Sequence, residues 1–162
     1  MPRRPFRTIR MLASFLIGLV GGQRALTPLA AVSLAAARGA LPPGNGAPSL
    51  LASPLAAAGA LALAAAELAG DKMRTAPDRI VPVGLAARFA TSAIAGAALA
   101  PRRQRWLAAA LGGTTAVLAS YPGWRARIAA IPRHGQTRTG LVEDALVILA
   151  AAAILRAFRR PA

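Results

Sequence analysis

Four long apolar stretches dominate this 162-residue chain, and each of them contains at least one charged residue. A helix needs about 20 apolar residues to cross the hydrocarbon core of a bilayer, so these stretches are candidate membrane segments. A charge at the centre of such a helix costs roughly 2.5–3.5 kcal/mol on insertion scales, so it is normally paired, buried between helices and functional. The stretches and their charges are residues 11–37 with Arg24, 49–70 with Glu67, 80–100 with Arg88, and 141–155 with Glu143 and Asp144.

The charge balance is strongly basic, with 20 lysines and arginines against 5 acidic residues. In a soluble protein this would indicate nucleic acid. Here the basic residues lie mostly between the apolar stretches, where they set membrane orientation and contact anionic headgroups. We therefore expect membrane lipids as partners and no nucleic acid. There is no cysteine and a single histidine, and the acids lack calcium-loop or zinc-ligand spacing, so we expect no metal and no cofactor.

The apolar segments predict an all-α fold, a polytopic integral membrane bundle of four to five membrane segments. The first segment is expected to be kinked or broken near Arg24–Pro28, because proline removes a backbone hydrogen bond. Residues 1–10 form a basic N-terminus, 11–158 a single membrane-embedded helical domain and 159–162 a tail. The predicted segments are residues 11–37, a second that starts near Ser49 or Ser53-Pro54 and ends around residues 72–74, then 81–100, 106–121 and 139–158, with a basic loop over residues 122–138.

Two arrangements of the first segment stay open: it crosses the membrane, or it dips in and returns to the same side. In both, the side that carries the N-terminus has more basic residues, so the N-terminus is expected in the cytoplasm. Both also place the connector of residues 72–79 and the loop of residues 122–138 on one side, because two segments separate them. The basic start followed by apolar residues 11–22 also has the composition of a signal peptide, although the apolar run continues past the usual length.

Charged residues inside or beside the apolar segments are the candidates for a binding site. Glu67 lies near the C-terminal end of its helix, where the macrodipole disfavours negative charge, so we expect a cation to pair with it. We predict that Glu67 lies within salt-bridge distance of Arg24, Arg88 or both. Glu143 and Asp144 have a second explanation, since acids are favoured in the first turns of a helix. The full candidate set is Arg24, Glu67, Asp71, Lys72, Arg79, Arg88, Glu143 and Asp144.

Three charged motifs occur along the chain: GLVGGQRALTPLAAVS, LAAAELAGDKMRTAPDRIVPVGLAARFATSAIAGAALA and LVEDALVILAA. Together they resemble a bacterial membrane-protein family described as domain of unknown function 4126, over roughly residues 15–155. Its members look like GLR-x-x-TP, GEL-x-ADK-x-P-x-TP-x-R and LLEDA. Two departures are Gln23, in place of an apolar residue, and Met73-Arg74, in place of Leu-Pro. The matching positions are Arg24, Thr27, Pro28, Glu67, Asp71, Lys72, Pro77, Arg79, Gly84, Arg88, Glu143 and Asp144.

The resemblance implies a multi-pass protein of the bacterial inner (cell) membrane and carries no assigned biochemistry. Our first hypothesis is a transport or permeation-type protein, alone or as a homo-oligomer, with charged residues at a polar intramembrane site. The alternative is a structural or lipid-interacting membrane module whose charges only hold helices together. A third is a lipid-headgroup enzyme in which Glu67, Asp71, Glu143 and Asp144 act as acid, base or Mg²⁺ ligands. No nucleophile–base pair or phosphate-binding loop supports an enzyme, so we predict no catalytic residues.

Overall fold

The computed structural model describes residues 4–71 and 80–159, and within them the chain forms six α-helices. Short 3-10 turns lie at Ser49–Ala52 and Arg102–Gln104. The described residues contain no strand, and a single β-bridge joins Asn45 to Pro101. The all-α fold class is therefore confirmed. The helices are α1 (Arg4–Gln23), α2 (Leu26–Ala37), α3 (Pro54–Gly70), α4 (Pro82–Leu99), α5 (Arg105–His134) and α6 (Gln136–Phe158).

Helix α1 runs antiparallel to α4. At the middle of α1, the Ser14 hydroxyl donates a hydrogen bond of 2.8 Å to the carbonyl of Gly96, close to the end of α4. Just beyond the end of α1, the carbonyl of Ala25 accepts a bond of 2.6 Å from the Thr91 hydroxyl. Position numbers thus rise along α1 while they fall along α4. Thr91 lies near the middle of α4, so the end of α1 reaches only halfway along that helix.

Helix α2 then returns toward the start of α1. The loop that follows α2 contacts the C-terminal end of α4, since the Gly46 amide donates to the Ala100 carbonyl at 2.8 Å. The same loop contacts the first half of α1 through a bond of 3.4 Å from Arg10 Nη2 to the Pro43 carbonyl. Helices α1 and α2 therefore form a helical hairpin. The break lies in the range predicted from Arg24–Pro28.

Small residues let α1, α4 and α5 approach one another closely. A Cβ atom added to Gly112 of α5 would lie 2.6 Å from the Ser92 carbonyl oxygen of α4. One added to Gly18 of α1 would lie 2.6 Å from the Gly112 carbonyl oxygen, and one on Gly96 would lie 2.7 Å from that of Ala108. No real Cβ atom tolerates such distances, so glycine is required at this crossing. Close packing through small residues is typical of helices that associate within a bilayer.

The sequence-based loop over residues 122–138 is wrong, because α5 continues through Pro122 to His134. Proline removes one intrahelical hydrogen bond and crowds the preceding turn. The second half of α5 is nevertheless held against the bundle, since Arg127 is 9% exposed and makes ion pairs there. Gly135, with a φ of 79°, alone separates α5 from α6. A left-handed backbone of this kind favours glycine and ends the helix.

Several polar and charged side chains are buried inside the bundle, and many large apolar side chains are exposed on its outside. The buried polar residues are Ser14, Arg24, Thr27, Ser33, Arg88, Ser92, Thr115, Ser120, Arg127 and Asp144. Leu55 and Val83 are more than four-fifths exposed, at 82% and 81%, and α6 exposes Leu146, Ile148 and Leu149. The buried polar residues lie beside an aliphatic core that includes Ile17, Val32 and Leu99, while many other large apolar side chains face outward.

Length and composition together identify one candidate membrane-crossing helix among the described residues, α4. Helices α2 and α3 are as apolar but shorter than a usual crossing. The predicted boundaries of the segments at α3 and α4 agree closely with the observed helices. The division of residues 1–162 into a basic N-terminus, a membrane domain and a tail stays a prediction, as does the number of crossings.

Candidate functional site

Arg24 lies at the tip of the α1–α2 hairpin and is 1% exposed. Its amide donates the last hydrogen bond of α1, 3.1 Å to the Val20 carbonyl, and α2 begins two residues later. Pro28 occupies the first turn of α2, where a missing amide hydrogen costs nothing because that group has no intrahelical acceptor. The sequence thus favours a helix end at Arg24 and a new start just before Pro28. The arginine side chain is directed into the bundle by this reversal.

The Arg24 guanidinium binds acidic side chains from two other parts of the fold. Its Nε donates to Asp144 Oδ1 of α6 at 2.8 Å, and its Nη2 contacts the same oxygen. Nη2 also lies 2.9 Å from Asp71 Oδ2, at the end of α3, and 3.9 Å from Glu143 Oε2. One cation therefore connects the hairpin tip to α3 and α6. Charge-assisted hydrogen bonds of this kind are shorter and stronger than neutral ones.

A second arginine, Arg127 of α5, completes the arrangement. Its Nη1 lies 2.8 Å from Asp71 Oδ2 and 3.0 Å from Glu143 Oε2, and its Nη2 donates to the Asp71 backbone carbonyl at 3.2 Å. We define the charge cluster as Arg24, Asp71, Arg127, Glu143 and Asp144. It joins the hairpin tip, the end of α3, α5 and α6.

Arg127 did not emerge from the sequence because it lies in the stretch read as a basic loop. The signal that could have found it is local: Arg127 is followed by Ile-Ala-Ala-Ile, an apolar run that suits a buried helix better than a loop.

Glu67 has a different role from the one predicted. Its carboxylate oxygens accept hydrogen bonds from the backbone amides of Ala25 and Leu26, at 2.7 and 2.8 Å. The first amides of a helix lack intrahelical acceptors and carry the positive end of the dipole. Glu67 therefore caps the N-terminus of α2 from a neighbouring helix. This explains how an acid is tolerated near the unfavourable C-terminal end of α3.

The predicted pairing of Glu67 with an arginine is thus replaced, in the described part of the chain, by a bond to the hairpin backbone. The ion pairs of Arg24 go instead to Asp71, Glu143 and Asp144. Arg88 is 5% exposed and lies one turn before Thr91, whose hydroxyl donates to the Ala25 carbonyl at the hairpin tip. The structure thus places both predicted intramembrane arginines inside the bundle.

The alternative explanation of Glu143 and Asp144 as first-turn acids is wrong. Helix α6 begins at Gln136, so both residues lie two turns inside it, and its first turn contains no acid. Thr139 is also within the helix, and its hydroxyl donates to the Gly135 carbonyl at 2.8 Å. Dipole and capping effects fade within the first turn. The two acids are therefore placed by their arginine partners.

Two candidate residues, Lys72 and Arg79, lie outside the described residues, so their relation to the charge cluster stays a prediction. Within the ranges 4–71 and 80–159, no group of three potential ligands is arranged to hold a metal ion. The chemistry that the charge cluster offers is accordingly hydrogen bonding and ion pairing by three carboxylates and two guanidinium groups. Such groups can hold helices together, or they can bind an ion.

Comparisons with known proteins identify no family for this chain. No family model matches the chain, and neither curated proteins nor solved structures gave a similar sequence or fold. The resemblance to the bacterial membrane-protein family therefore stays an expectation. The charge cluster and the hairpin are the observations on which a function has to be argued.

Proposed function

We propose that this chain is a small polytopic membrane protein, a lipid-interacting module in which the charge cluster holds a re-entrant helical hairpin in place. The observation that carries this proposal is Arg24, which is almost fully buried at a helix break and binds Asp71 and Asp144. A buried ion pair far from water is costly to assemble, so it is retained where it fixes a geometry that apolar packing alone would not specify.

The distribution of side chains supports a membrane location. Large exposed apolar side chains cover the outside, and the closest contacts inside involve glycine, serine and alanine. Between helices in a bilayer, packing of small residues and interhelical hydrogen bonds replace the hydrophobic effect as the source of association. Backbone that is not helical is tolerated at membrane depth only where protein covers it. The hairpin tip meets that condition, because Glu67 and Thr91 satisfy its amides and one of its carbonyls.

The partners of the charged groups favour a structural role over an open binding site. Both carboxylate oxygens of Glu67 are used by the hairpin backbone. Arg24 uses its Nε and Nη2 on protein carboxylates rather than holding them free for a ligand. A residue that positions other helices in this way should affect stability more than selectivity.

A double-mutant cycle on Arg24 and Asp144 tests the proposal. We expect Arg24→Leu and Asp144→Leu each to lower the stability of the full chain in detergent by about 3–5 kcal/mol, because each leaves a buried charge without its partner. The double replacement should recover much of that loss. Arg125→Leu, an exposed arginine on α5, is the control and should leave stability unchanged. Additive losses in the double variant would contradict a structural pair.

A transport or permeation-type function is the second candidate, and one observation favours it. The helix break places two helix ends and several carboxylates level with the middle of α4, and many transporters bind their substrates at such a break. The probe is proton flux into vesicles that contain a trapped pH-sensitive dye and the purified chain. Flux that disappears in Glu67→Gln and Asp71→Asn, while folding is retained, would establish this candidate. Flux no greater than in empty vesicles would favour the structural role.

A further inference from the structure

A cavity of about 510 Å³ lies between α2, α3 and α6 and extends from beside the hairpin tip to the far ends of α2 and α6. This volume falls within the range of about 300–1,000 Å³ that is typical of small-ligand sites. Its walls are formed by aliphatic side chains, among them Leu34 of α2, Leu61 of α3, and Ile148 and Leu155 of α6. Many of the other lining residues are alanines, whose small size leaves the space open. The cavity therefore suits a flexible apolar ligand.

One end of the cavity is basic. Arg38, at the end of α2, and Arg156 and Arg159, at the end of α6, line it, and no acidic residue does. We call these three arginines the basic rim. All three are exposed, and no ion pair joins them to another residue in the ranges 4–71 and 80–159. Guanidinium groups bind phosphate through paired charge-assisted hydrogen bonds. The charge at this end is thus complementary to an anionic head.

The length of the cavity matches one leaflet of a bilayer. Its lining extends along α2 from Thr27, beside the hairpin tip, to Arg38. At a rise of 1.5 Å per residue, this stretch of helix is about 16 Å long. The hydrocarbon core of a bilayer is about 30 Å thick, so the cavity spans about half of it. A chain that starts at the basic rim would end near the hairpin tip.

We propose that this cavity binds an acyl chain of an anionic phospholipid, whose phosphate is held by the basic rim. The apolar walls surround the acyl chain. The three arginines favour a headgroup with a net negative charge. The proposal rests on the proposed membrane function, because the ligand reaches the cavity from the surrounding leaflet. It also names the lipid class with which the module interacts.

The test measures lipid binding to the purified, delipidated full chain by native mass spectrometry in a non-ionic detergent. Phosphatidylglycerol should bind at least tenfold more tightly than phosphatidylcholine. Replacing the basic rim in R38Q/R156Q/R159Q should remove that preference. The control R102Q/R103Q/R105Q removes the same charge from exposed arginines outside the cavity and should retain the preference. Equal binding of the two lipids by the wild-type chain would overturn the role of the basic rim.

Filling the cavity tests the acyl-chain half of the proposal. Ala152→Trp places an indole in the cavity and should weaken phosphatidylglycerol binding at least tenfold, and Ala65→Trp, on α3, should do the same if the first variant fails to fold. Ala150→Trp, at an exposed position of α6 outside the lining, should not. Unchanged binding in the filled variants, or tighter binding of palmitate than of phosphatidylglycerol, would overturn the proposal. Retention in vesicles after a carbonate wash is measured separately, so failure to enter membranes is distinguished from failure to bind lipid.

Discussion

Glu67 is the residue on which the geometry of the hairpin tip depends most directly. It lies on α3, yet its two oxygens satisfy the first amides of α2, which otherwise would be buried without acceptors. An amide buried in this way costs about 1–3 kcal/mol, and more when the bond involves a charge. The acid and the helix start therefore depend on each other, although 41 residues separate Leu26 from Glu67.

We expect Glu67→Gln to weaken this cap, because a neutral amide side chain offers only one acceptor oxygen. Hydrogen exchange at Ala25 and Leu26 should accelerate at least tenfold, which corresponds to about 1.4 kcal/mol of local stability. Exchange at Ala95 and Ala98, buried within α4, serves as the internal control. Unchanged protection at the hairpin tip would show that Glu67 does not hold the start of α2.

Arg127 allows a second test at the residue scale. Arg127→Gln removes the cation shared by Asp71 and Glu143, so both carboxylates rely more heavily on Arg24. We expect a loss of stability of about 3–5 kcal/mol, typical of breaking a buried pair. Arg125→Gln, two residues earlier and exposed, should be close to neutral. The midpoints of thermal unfolding of the two variants are compared in the same detergent. Equal midpoints would show that Arg127 does not stabilise the charge cluster.

At the scale of helices, the close crossing of α1, α4 and α5 is set by glycine. Gly112→Ala would bring a methyl group within 2.6 Å of the Ser92 carbonyl, so we expect a loss of about 1–3 kcal/mol. Gly59→Ala on α3 meets nothing within 4 Å. Since alanine is the better helix former, that variant should gain up to about 1 kcal/mol. Opposite signs in thermal unfolding are predicted, and a stabilised Gly112→Ala would contradict the crossing.

The sequence predicts the boundaries of a helix where nearby residues mark them, and it fails where the boundary depends on contacts with distant residues. The break after Arg24 and the starts of α3 and α4 carry local signals, prolines at a first helical turn, and were predicted within a few residues. The sequence does not predict the continuation of α5, because Pro122 gives the same signal inside a helix as at a helix boundary, and the apolar run after Arg127 is a weaker sign of a buried helix. The pairing of Arg24 with Asp144 was also missed, since it joins residues 120 positions apart and depends on which helices are neighbours.

At the scale of the whole molecule, the described residues bury charged and polar groups beside an aliphatic core and expose many large apolar side chains. Leu55, Val83 and Leu149 are exposed at 82%, 81% and 67%, whereas Arg24 and Asp144 are buried. In water such a surface would promote aggregation, whereas lipid tails cover it without cost. This distribution of side chains suits a bilayer. If the α1–α2 hairpin is re-entrant, the chain ahead of α1 and the loop after α2 should lie on the same side of the membrane.

Labelling of single cysteines tests this central claim most directly, because the native chain has no cysteine. In intact cells, a membrane-impermeant maleimide is applied to Pro2→Cys, Ser49→Cys and His134→Cys, with permeabilised cells as the control for reactivity. The re-entrant hairpin predicts that the cysteines at positions 2 and 49 react alike and that the one at position 134, between α5 and α6, has the opposite accessibility. If the cysteine at position 2 instead behaves like that at 134, the first segment crosses the membrane. If all three behave alike, the polytopic arrangement is contradicted.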